Sequence, residues 1–494
     1  MLVVVLAGIY GLARISHPSV AASRSATVSR EDIVTAVRAC AAPGSAGPTA
    51  SSIALAAIPG SAATGSAVIT PLVPGSGTSA PPVAATLSRP GFLQTARIPV
   101  APPLTAAERV GQAGSSASVR TYPGRGGVLV TASGALAQGL EVEQTGPGSG
   151  GLATAQCSAP GTNFWFAGPG QKSAATIELY LTNPGSQPAD AQVQVLVDTS
   201  KGPPVLGNAD NGITVPPGGM VVQSLGTLLD GSGIMALNVS TSVGQVVAAV
   251  RESTSGSHGG IWLPAIQPPA RHLVIPGLPG TPGARDLYLA VPGSASAQVK
   301  VTVVTQRGSY HPTGGTGIEL LGGSVSDIPL PSLGGIAGAL SITSSEPVIA
   351  VMRVPGGPAG ALAVSASPIL EQGVLAANPA RPAGQTQLVL SAPGKAASVR
   401  ITTATATASV TGQSGQVIQV GAKSSVVVPV GPPAKSKASQ FAIVVTPLPG
   451  SGPVYGASII SAAGSLQTIL PVISSLTWIP LPGVRESVAT VLGG

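Results

Sequence analysis

The chain has 494 residues, of which 24 are basic and 17 acidic, and its formal net charge is +7. Charged residues make up 8% of it, against about 25% in an average globular protein, whereas 44% of the residues are hydrophobic and Gly and Pro number 66 and 48. This composition excludes charge-driven disorder, a long coiled coil and a polytopic membrane protein. It favours an all-β protein with many short strands and Gly/Pro-rich turns.

The apolar run Leu2 to Ala13 opens the chain. Twelve residues are too few to span a bilayer comfortably but fit the apolar region of a secretory signal, although no basic segment precedes them. We interpret residues 1–28 as a signal peptide or signal anchor with a linker, and Ser19 to Ala21 has the small-residue spacing of a cleavage site. A buried N-terminal strand is the alternative. The predicted location is extracytoplasmic, with the protein secreted or anchored to the cell membrane by this segment.

The two cysteines, Cys40 and Cys157, lie in related contexts, Cys-Ala-Ala-Pro-Gly and Cys-Ser-Ala-Pro-Gly. An even number of cysteines in an exported chain favours one disulfide, and two unrelated buried thiols are the other interpretation. Closing a loop of this length stabilises the folded state by roughly 4–5 kcal/mol in the chain-entropy description.

The pattern Leu-x-Leu-x-x-Pro-Gly occurs three times, at intervals of about 100 residues, in residues 179–185, 287–293 and 388–394. Each copy predicts a half-buried strand that ends at a Pro-Gly turn. An alternating Val-rich run follows each copy, such as Val193, Val195 and Val197 after the first. We predict a β-hairpin from each strand, turn and strand.

A second block repeats in residues 236–242 and 339–345, with weaker copies in 441–446 and 127–133. These copies predict four units: a degenerate first β unit over 29–160, β-sandwich units over 161–265 and 266–365, and a β-sandwich unit plus C-terminal strand over 366–494. Six or seven strands in about 100 residues is typical of an immunoglobulin-like β-sandwich. We therefore predict tandem sandwiches in which one face of each sheet is solvated.

A ring-closed, propeller-like arrangement of the four β units is the alternative. It is favoured by the likeness of the segment around Trp478 to the one around Trp165, since a C-terminal strand could complete the first unit. We expect these two tryptophans and Trp262 to be core anchors rather than ligand platforms.

The sequence predicts no catalytic, cofactor-binding or metal-binding residue. The histidines lack His or Cys neighbours at ligand spacing, and several aspartates fall where turn residues are expected. These candidates are His17, His258, His272, His311, Asp190, Asp198, Asp210 and Asp230. A nucleophile elbow Gly-x-Ser-x-Gly does not occur, whereas carboxylates paired in space stay possible.

Three further motifs have ordinary structural interpretations. Residues 168–173 resemble a phosphate-binding loop, but Gln171 interrupts the order and a strand follows. Residues 276–283 carry Gly at every third position over too few triplets for collagen, so we predict a linker or loop. The glycosylation sequon at Asn238 lies inside a predicted strand.

The run from Cys157 to Gly170, with Phe164-Trp165-Phe166 followed by Gly-Pro-Gly, and the later Leu-Tyr-Leu-Thr-Asn-Pro of residues 179–184 resemble an uncharacterised family of exported proteins, a domain of unknown function from high-GC Gram-positive bacteria. The layout is also similar to tandem β-repeats of bacterial surface proteins. The later units depart from it at residues 272–276 and 373–376, which lack the aromatic pair. The resemblance implies no activity.

We expect an exported, envelope-associated, non-enzymatic scaffold or binding protein, whose partner is a cell-envelope polymer or a membrane or envelope protein. Nucleic acid is not an expected partner, because the cations are scattered and form no run of three. The alternatives are an accessory subunit of a membrane glycan-synthesis or secretion complex and an envelope enzyme that acts on glycans.

Overall fold

A computed structural model describes residues 29–41, 51–58, 64–72, 83–87, 94–100, 127–148, 151–170, 176–198, 212–226, 229, 233–253, 260–331, 333–356, 360–381, 385–405, 415–462 and 465–481. These residues form β-strands and connections, with no helix among them, and the predicted all-β class is confirmed. None of them belongs to a helix long and apolar enough to cross a membrane. The predicted signal segment, residues 1–28, lies outside the described residues.

The chain divides into two compact units, and the smaller one comprises residues 1–32 and 478–494. Its described part is a two-stranded antiparallel ribbon of β1 (Ser29–Asp32) and β35 (Trp478–Leu481). The guanidinium carbon of Arg30 lies 3.9 Å from the centroid of the Trp478 ring, a cation–π contact across the ribbon. The C-terminal strand that the sequence predicts therefore pairs with β1.

The larger unit, residues 33–477, contains four β-sandwiches in tandem. Sandwich 1 comprises β2 (Thr35–Cys40), β3 (Ser51–Ala57), β4 (Gly65–Leu72), β5 (Val83–Leu87), β6 (Gln94–Val100), β7 (Gly127–Gly134), β8 (Glu141–Gly148) and β9 (Gly151–Gln156). Sandwich 2 comprises β10 (Asn163–Pro169), β11 (Thr176–Thr182), β12 (Ala189–Val197), β13 (Ile213–Val215), β14 (Met220–Ser224), β15 (Ile234–Val243), β16 (Val247–Ser253) and β17 (Gly260–Leu263).

Sandwich 3 comprises β18 (Ala270–Leu278), β19 (Arg285–Val291), β20 (Ala297–Thr305), β21 (Gly308–Tyr310), β22 (Ile318–Leu320), β23 (Ser324–Leu330), β24 (Gly338–Val354) and β25 (Ala361–Val364). Sandwich 4 comprises β26 (Gly373–Pro379), β27 (Thr386–Ala392), β28 (Ala397–Ala404), β29 (Gln416–Val420), β30 (Ser424–Val430), β31 (Gln440–Pro447), β32 (Tyr455–Ala462) and β33 (Ser465–Pro471), with the short β34 (Ile473–Ser474) beside β26.

All four sandwiches share one topology of eight strands. The first, sixth, third and fourth strands form one sheet in that order, which we call the front sheet; the fifth, second, seventh and eighth form the back sheet. In sandwich 3 the long strand β24 supplies both the sixth and the seventh strand, and β21 is an addition. Tandem β-sandwiches are thus confirmed, with eight strands each rather than six or seven. A closed propeller is not formed by the described residues, since every unit has two sheets.

The predicted hairpins are wrong. The Leu-x-Leu strand β11 pairs with β14 and β16 in the back sheet, whereas the following Val-rich strand β12 pairs with β13 and β15 in the front sheet. The Pro-Gly segment therefore crosses between the sheets. Both strands turn their apolar side chains into the same core, where Leu179 and Leu181 meet Val193 and Val195. Alternation alone does not distinguish this arch from a hairpin.

The back sheets are covered on both faces, which differs from the predicted solvated face. In each second strand, one set of side chains fills the sandwich's own core, and the residue between them packs against the preceding sandwich. That residue is Tyr180 in β11, Tyr288 in β19 and Val389 in β27. The equivalent residue of sandwich 1, Ala54, packs against sandwich 4. The front sheet of each sandwich thus meets the back sheet of the next, and sandwich 4 meets sandwich 1.

The Gly-rich segment 276–283 is part strand and part loop. β18 continues through Leu278, and Gly277 within it has φ +81° and approaches Ala457 of sandwich 4 so closely that a Cβ would clash. The loop that follows is held by Arg285, which is 1% exposed and donates to the carbonyl oxygens of Pro279 at 2.8 Å and Thr281 at 2.7 Å. This segment is therefore an ordered part of sandwich 3.

Candidate functional site

A cleft lies where the eighth strands of sandwiches 1, 2 and 4 come together. These strands are β9, β17 and β33. Each belongs to the back sheet of its sandwich, and each supplies part of a different wall of the cleft. Gln156 at the end of β9 donates from Nε2 to the carbonyl oxygen of Pro471 at the end of β33, at 2.9 Å. The cleft contains about 650 Å³ of empty space, part of which is open solvent.

The disulfide of Cys40 and Cys157 forms part of the wall contributed by sandwich 1. It joins the end of the first strand of sandwich 1 to the residue after the eighth strand. The predicted disulfide is therefore present. Next to it, the backbone N–H of Ala39 donates to the carbonyl oxygen of Ser158 at 3.0 Å. The bond therefore fixes the cleft wall as well as closing the sandwich.

A buried amide faces the cleft from sandwich 1. Gln144 in β8 lines the cleft and is 5% exposed. Thr154 on the neighbouring strand β9 also lines the cleft, and its Oγ1 lies 3.4 Å from that of Thr145.

An aromatic side chain forms part of the opposite wall. Trp262 in β17 is half-buried and lines the cleft, so it is not the plain core anchor that the sequence predicts. Its ring packs edge-on against Tyr180 with the ring centroids 5.3 Å apart, and the Arg251 guanidinium carbon lies 5.8 Å from its centroid. The hydroxyl of Tyr180 donates to Glu178 at 2.6 Å, and burial raises the pKa of this tyrosine. These contacts hold the indole in one position.

Charge is confined to other places. None of the described residues that line the cleft has an ionisable side chain. The apolar part of the cleft is completed by residues of two sandwiches. They are Phe166 and Leu263 of sandwich 2 and Leu470 and Ile473 of sandwich 4. The cleft is therefore electrically neutral, with amides and hydroxyls on one side and apolar groups on the others.

Two fully buried carboxylates lie at the interface of sandwiches 1 and 4. Glu141 meets Arg38 at 3.5 Å and accepts a hydrogen bond from Ser475 Oγ at 3.0 Å, and burial raises its pKa despite Arg38. Burial raises the pKa of Glu143 to about 7, although two backbone N–H groups of sandwich 4 donate to it. Neither side chain lines the cleft. Their oxygens accept hydrogen bonds across the interface of sandwiches 1 and 4.

A second acidic group lies on the back sheet of sandwich 3. Asp327 has a pKa raised to about 6 by partial burial and by the nearby Asp286 and Asp198, whereas Arg353 lowers it. Asp286 and Arg353 face each other across β19 and β24, and Asp198 forms an isolated bridge to Val325 beside Asp327. No three His, Cys, Asp or Glu side chains within the described ranges are placed to hold a metal ion.

Those of the other residues considered from the sequence that the structure describes do not meet at one place. His272 is exposed on β18. Nδ1 of His311 lies 3.0 Å from the carbonyl oxygen of Val301, which can only accept, and 3.3 Å from the hydroxyl oxygen of Thr302. Asp190 accepts from Thr214 at 2.8 Å across two strands. His17, His258, Asp210 and Asp230 lie outside the described residues. Trp165 is buried in the core of sandwich 2 and Trp478 lies in the ribbon.

The sequon asparagine is engaged in sandwich 2. Asn238 is 8% exposed, and its Nδ2 donates to the Phe164 carbonyl oxygen at 3.1 Å and to Asn163 Oδ1. In the segment that resembles a phosphate-binding loop, residues 168 and 169 are the last two of β10 and residue 170 follows the strand. Residues 171–175 lie outside the described part of the chain.

The fold and the cleft define a tandem β-sandwich protein with a neutral, partly aromatic cleft at the junction of three sandwiches. The chain belongs to a family of unknown function, DUF5719, whose model matches residues 109–431. The match runs from before β7 in sandwich 1 to the fifth strand of sandwich 4 and covers sandwiches 2 and 3 in full. No curated protein and no solved structure matches the chain.

Proposed function

We propose that the protein is an exported, non-enzymatic binding or scaffold protein associated with the cell envelope of a high-GC Gram-positive bacterium. The observation that carries this proposal is the cleft, which is walled by three sandwiches and a disulfide and lined by neutral groups. Because each sandwich is packed on the next over buried apolar faces, the walls are held in fixed positions. A preformed site of this kind loses little ordering entropy on binding.

The location outside the cytoplasm is supported by the disulfide of Cys40 and Cys157 and by the apolar run Leu2 to Ala13. Disulfides persist in oxidising compartments and are rare in a reducing cytosol. The neutral walls of the cleft suit recognition of an uncharged ligand rather than a nucleic acid. The cell-envelope polymer or envelope protein that the sequence suggests is the natural class of partner.

The proposal is tested in intact cells that make the protein. Thiols are alkylated with a maleimide before and after reduction, and the envelope and cytosolic fractions are compared by immunoblot and mass analysis. We expect the protein in the envelope or medium, with Cys40 and Cys157 alkylated after reduction and not before. A cytosolic protein with two thiols that react without reduction would overturn the proposal. Recovery within a membrane glycan-synthesis or secretion assembly would replace it with the accessory-subunit alternative.

A further inference from the structure

Charge is distributed unevenly among the sandwiches. Sandwich 4, over residues 373–474, has six basic residues and no acidic residue, whereas residues 161–265 have three basic and six acidic residues and residues 266–365 have five and four. Glu141 and Glu143 of sandwich 1 lie against sandwich 4, but they are buried and accept hydrogen bonds within the interface. Like charges without counter-charges repel one another, and an anionic partner relieves that repulsion.

Five of the six basic side chains are exposed and lie in loops of sandwich 4. We call these five the sandwich 4 cations; they are Arg381, Lys395, Lys423, Lys435 and Lys437, whereas Arg400 in β28 is half-buried. Lys395 follows β27, and Lys423 immediately precedes β30. The last residue of β27, Ala392, pairs with the first residue of β30, Ser424, so Lys395 and Lys423 lie in neighbouring turns at one end of the sandwich.

The other three sandwich 4 cations lie at the opposite end. The last residue of β30, Val430, pairs with the first residue of β27, Thr386. The loop after β30 therefore begins at that end, and it carries Lys435 and Lys437. The loop before β27, which carries Arg381, is hydrogen-bonded to it, because the N–H of Ala380 donates to the carbonyl oxygen of Ser439 at 2.9 Å. The seven residues of β27 separate the two ends by about 20 Å.

Two of these lysines have a backbone conformation that favours glycine. Among the described residues, glycine occupies every position with positive φ except two, and the exceptions are Lys423 at +54° and Lys435 at +65°. Gly218 and Gly323 occupy the position of Lys423 in the corresponding turns of sandwiches 2 and 3, at +59° and +70°. A side chain strains the backbone in this region, and an observed strained residue points to a function for its side chain. For both exposed lysines that function is their charge.

The positions of the cations determine which anionic partner fits. A bilayer presents its anionic groups in one plane, whereas the sandwich 4 cations are divided between two opposite ends. A nucleic-acid site combines cations with aromatic rings on which bases stack. Sandwich 4 has two aromatic residues, of which Phe441 is buried and Tyr455 half-buried. A flexible chain with repeated anionic groups reaches both ends, and each added contact strengthens its binding.

We infer that sandwich 4 binds a flexible anionic polymer, whose repeated phosphate or carboxylate groups pair with the exposed cations at both ends of the sandwich. Lysine binds such oxyanions as a compact point charge, which requires no preformed pocket. The inference rests on the proposed binding function at the cell envelope and names the chemical class of the partner. The surface is separate from the neutral cleft, since none of the sandwich 4 cations lines the cleft.

The test is a binding titration of the purified protein, with its disulfide intact, between about 50 and about 200 mM salt. The probes are polyphosphate and polygalacturonate, which carry phosphate and carboxylate groups, and neutral dextran is the comparison. Vesicles of phosphatidylglycerol and single-stranded DNA represent the other anionic partners. We expect one or both polyanions to bind more tightly than the vesicles or the DNA, with affinity that falls as salt rises, and no binding of dextran.

The variant Lys423→Gly separates the charge from the fold. Glycine accepts the positive φ, so the melting temperature should not fall, whereas the affinity for the polyanion should fall about twofold to fivefold. The slope of log affinity against log salt concentration should decrease in magnitude by about 0.7 for each cation removed. Lys423→Arg should retain wild-type binding. Arg271→Gln is the matched control, because Arg271 is an exposed cation of sandwich 3 that pairs with Glu346 at 3.2 Å, and it should keep both affinity and slope.

A combined variant removes all five charges and should bind about tenfold more weakly or less still. It contains Arg381→Gln, Lys395→Gln, Lys423→Gln, Lys435→Gln and Lys437→Gln. If it does not fold, as judged by its melting temperature, the five single variants provide the comparison.

Three results would overturn the inference. Neither polyanion binds, the Lys423→Gly and combined variants bind as the wild type does, or the vesicles or DNA bind more tightly than both polyanions. Because localisation tests the proposed function separately, an exported protein that fails this titration retains that function, whereas a cytosolic protein that passes it does not.

Discussion

The carboxylate of Glu143 in sandwich 1 accepts a hydrogen bond from the backbone N–H of Ala376 in sandwich 4, at 2.9 Å. Its other oxygen accepts from the next N–H, that of Ala377, at 2.7 Å. The register of β26 against β31 shifts between Leu375 and Asn378, so neither alanine has a partner residue on β31. One buried side chain thus takes the place of a neighbouring strand at this irregularity.

Replacing Glu143 by Ala should be strongly destabilising, because it leaves two buried N–H groups without acceptors at the interface of sandwiches 1 and 4. We expect a loss of about 2–5 kcal/mol in the free energy of unfolding, measured by urea denaturation. Glu319→Ala, at an exposed position in β22, is the control and should change stability by less than about 0.5 kcal/mol. Equal stability of the two variants would show that the carboxylate does not hold the interface.

The raised pKa of Glu143 predicts a pH dependence of stability. Burial raises this pKa from the usual 4.5 to about 7, so the folded state binds the proton more tightly than the unfolded state does. The stability associated with this proton is present below pH about 4.5 and is lost as the pH rises to about 7. Over that window, the melting temperature of the wild type should fall relative to that of Glu143→Gln, which has no such proton. A constant or widening advantage of the wild type would contradict the shift.

Much of the strand pattern could be predicted from repeated motifs, but the pairing could not. The Leu-x-Leu copies at Leu179, Leu287 and Leu388 all lie in second strands, and residues 127–133 and 236–242 both lie in sixth strands. Periodicity reports which side chains share a face and not which sheet holds the strand, and this explains the failed hairpins. Burial of the second face at Tyr180 depends on a neighbouring sandwich that local sequence does not reveal.

The candidate site could be predicted less well. The related contexts of Cys40 and Cys157 allowed their pairing to be foreseen, whereas Gln144 carried no local signal. A stronger signal was available next to it: Glu141 and Glu143, both in β8, lie two residues apart in a chain with 17 acidic residues. In a chain with so few charges, two acidic side chains on one face of a strand indicate that hydrogen-bond donors from elsewhere in the protein pair with them. Identifying Ala376 and Ser475 as the partners needed the tertiary structure.

The disulfide should contribute substantially to stability. It closes a loop with a sequence separation of 117 residues, for which the chain-entropy description gives about 5 kcal/mol. We expect the variant with both Cys40→Ala and Cys157→Ala to unfold at a lower urea concentration by a corresponding amount. Dithiothreitol should destabilise the wild type towards the variant and leave the variant itself unchanged. Insensitivity of the wild type to complete reduction would contradict this prediction.

Tyr288 tests whether the sandwiches depend on each other. This residue of β19 is 3% exposed and packs into the core of sandwich 2, and burial raises its pKa to about 12. Truncating a buried aromatic side chain costs about 3–5 kcal/mol, so Tyr288→Ala should lower the free energy of unfolding by that amount. The control is Tyr310→Ala in β21, where the ring is 42% exposed and truncation should cost less than about 0.5 kcal/mol.

The effect of Tyr288→Ala should also extend beyond sandwich 3. Because the ring lies among side chains of sandwich 2, hydrogen exchange in β10 and β15 should quicken along with that in β19. Tyr288→Phe keeps the ring and should retain most of the protection, which would assign the effect to packing rather than to the hydroxyl. If exchange quickened in β19 alone, the sandwiches would be energetically independent and the shared apolar face would contribute little to their association.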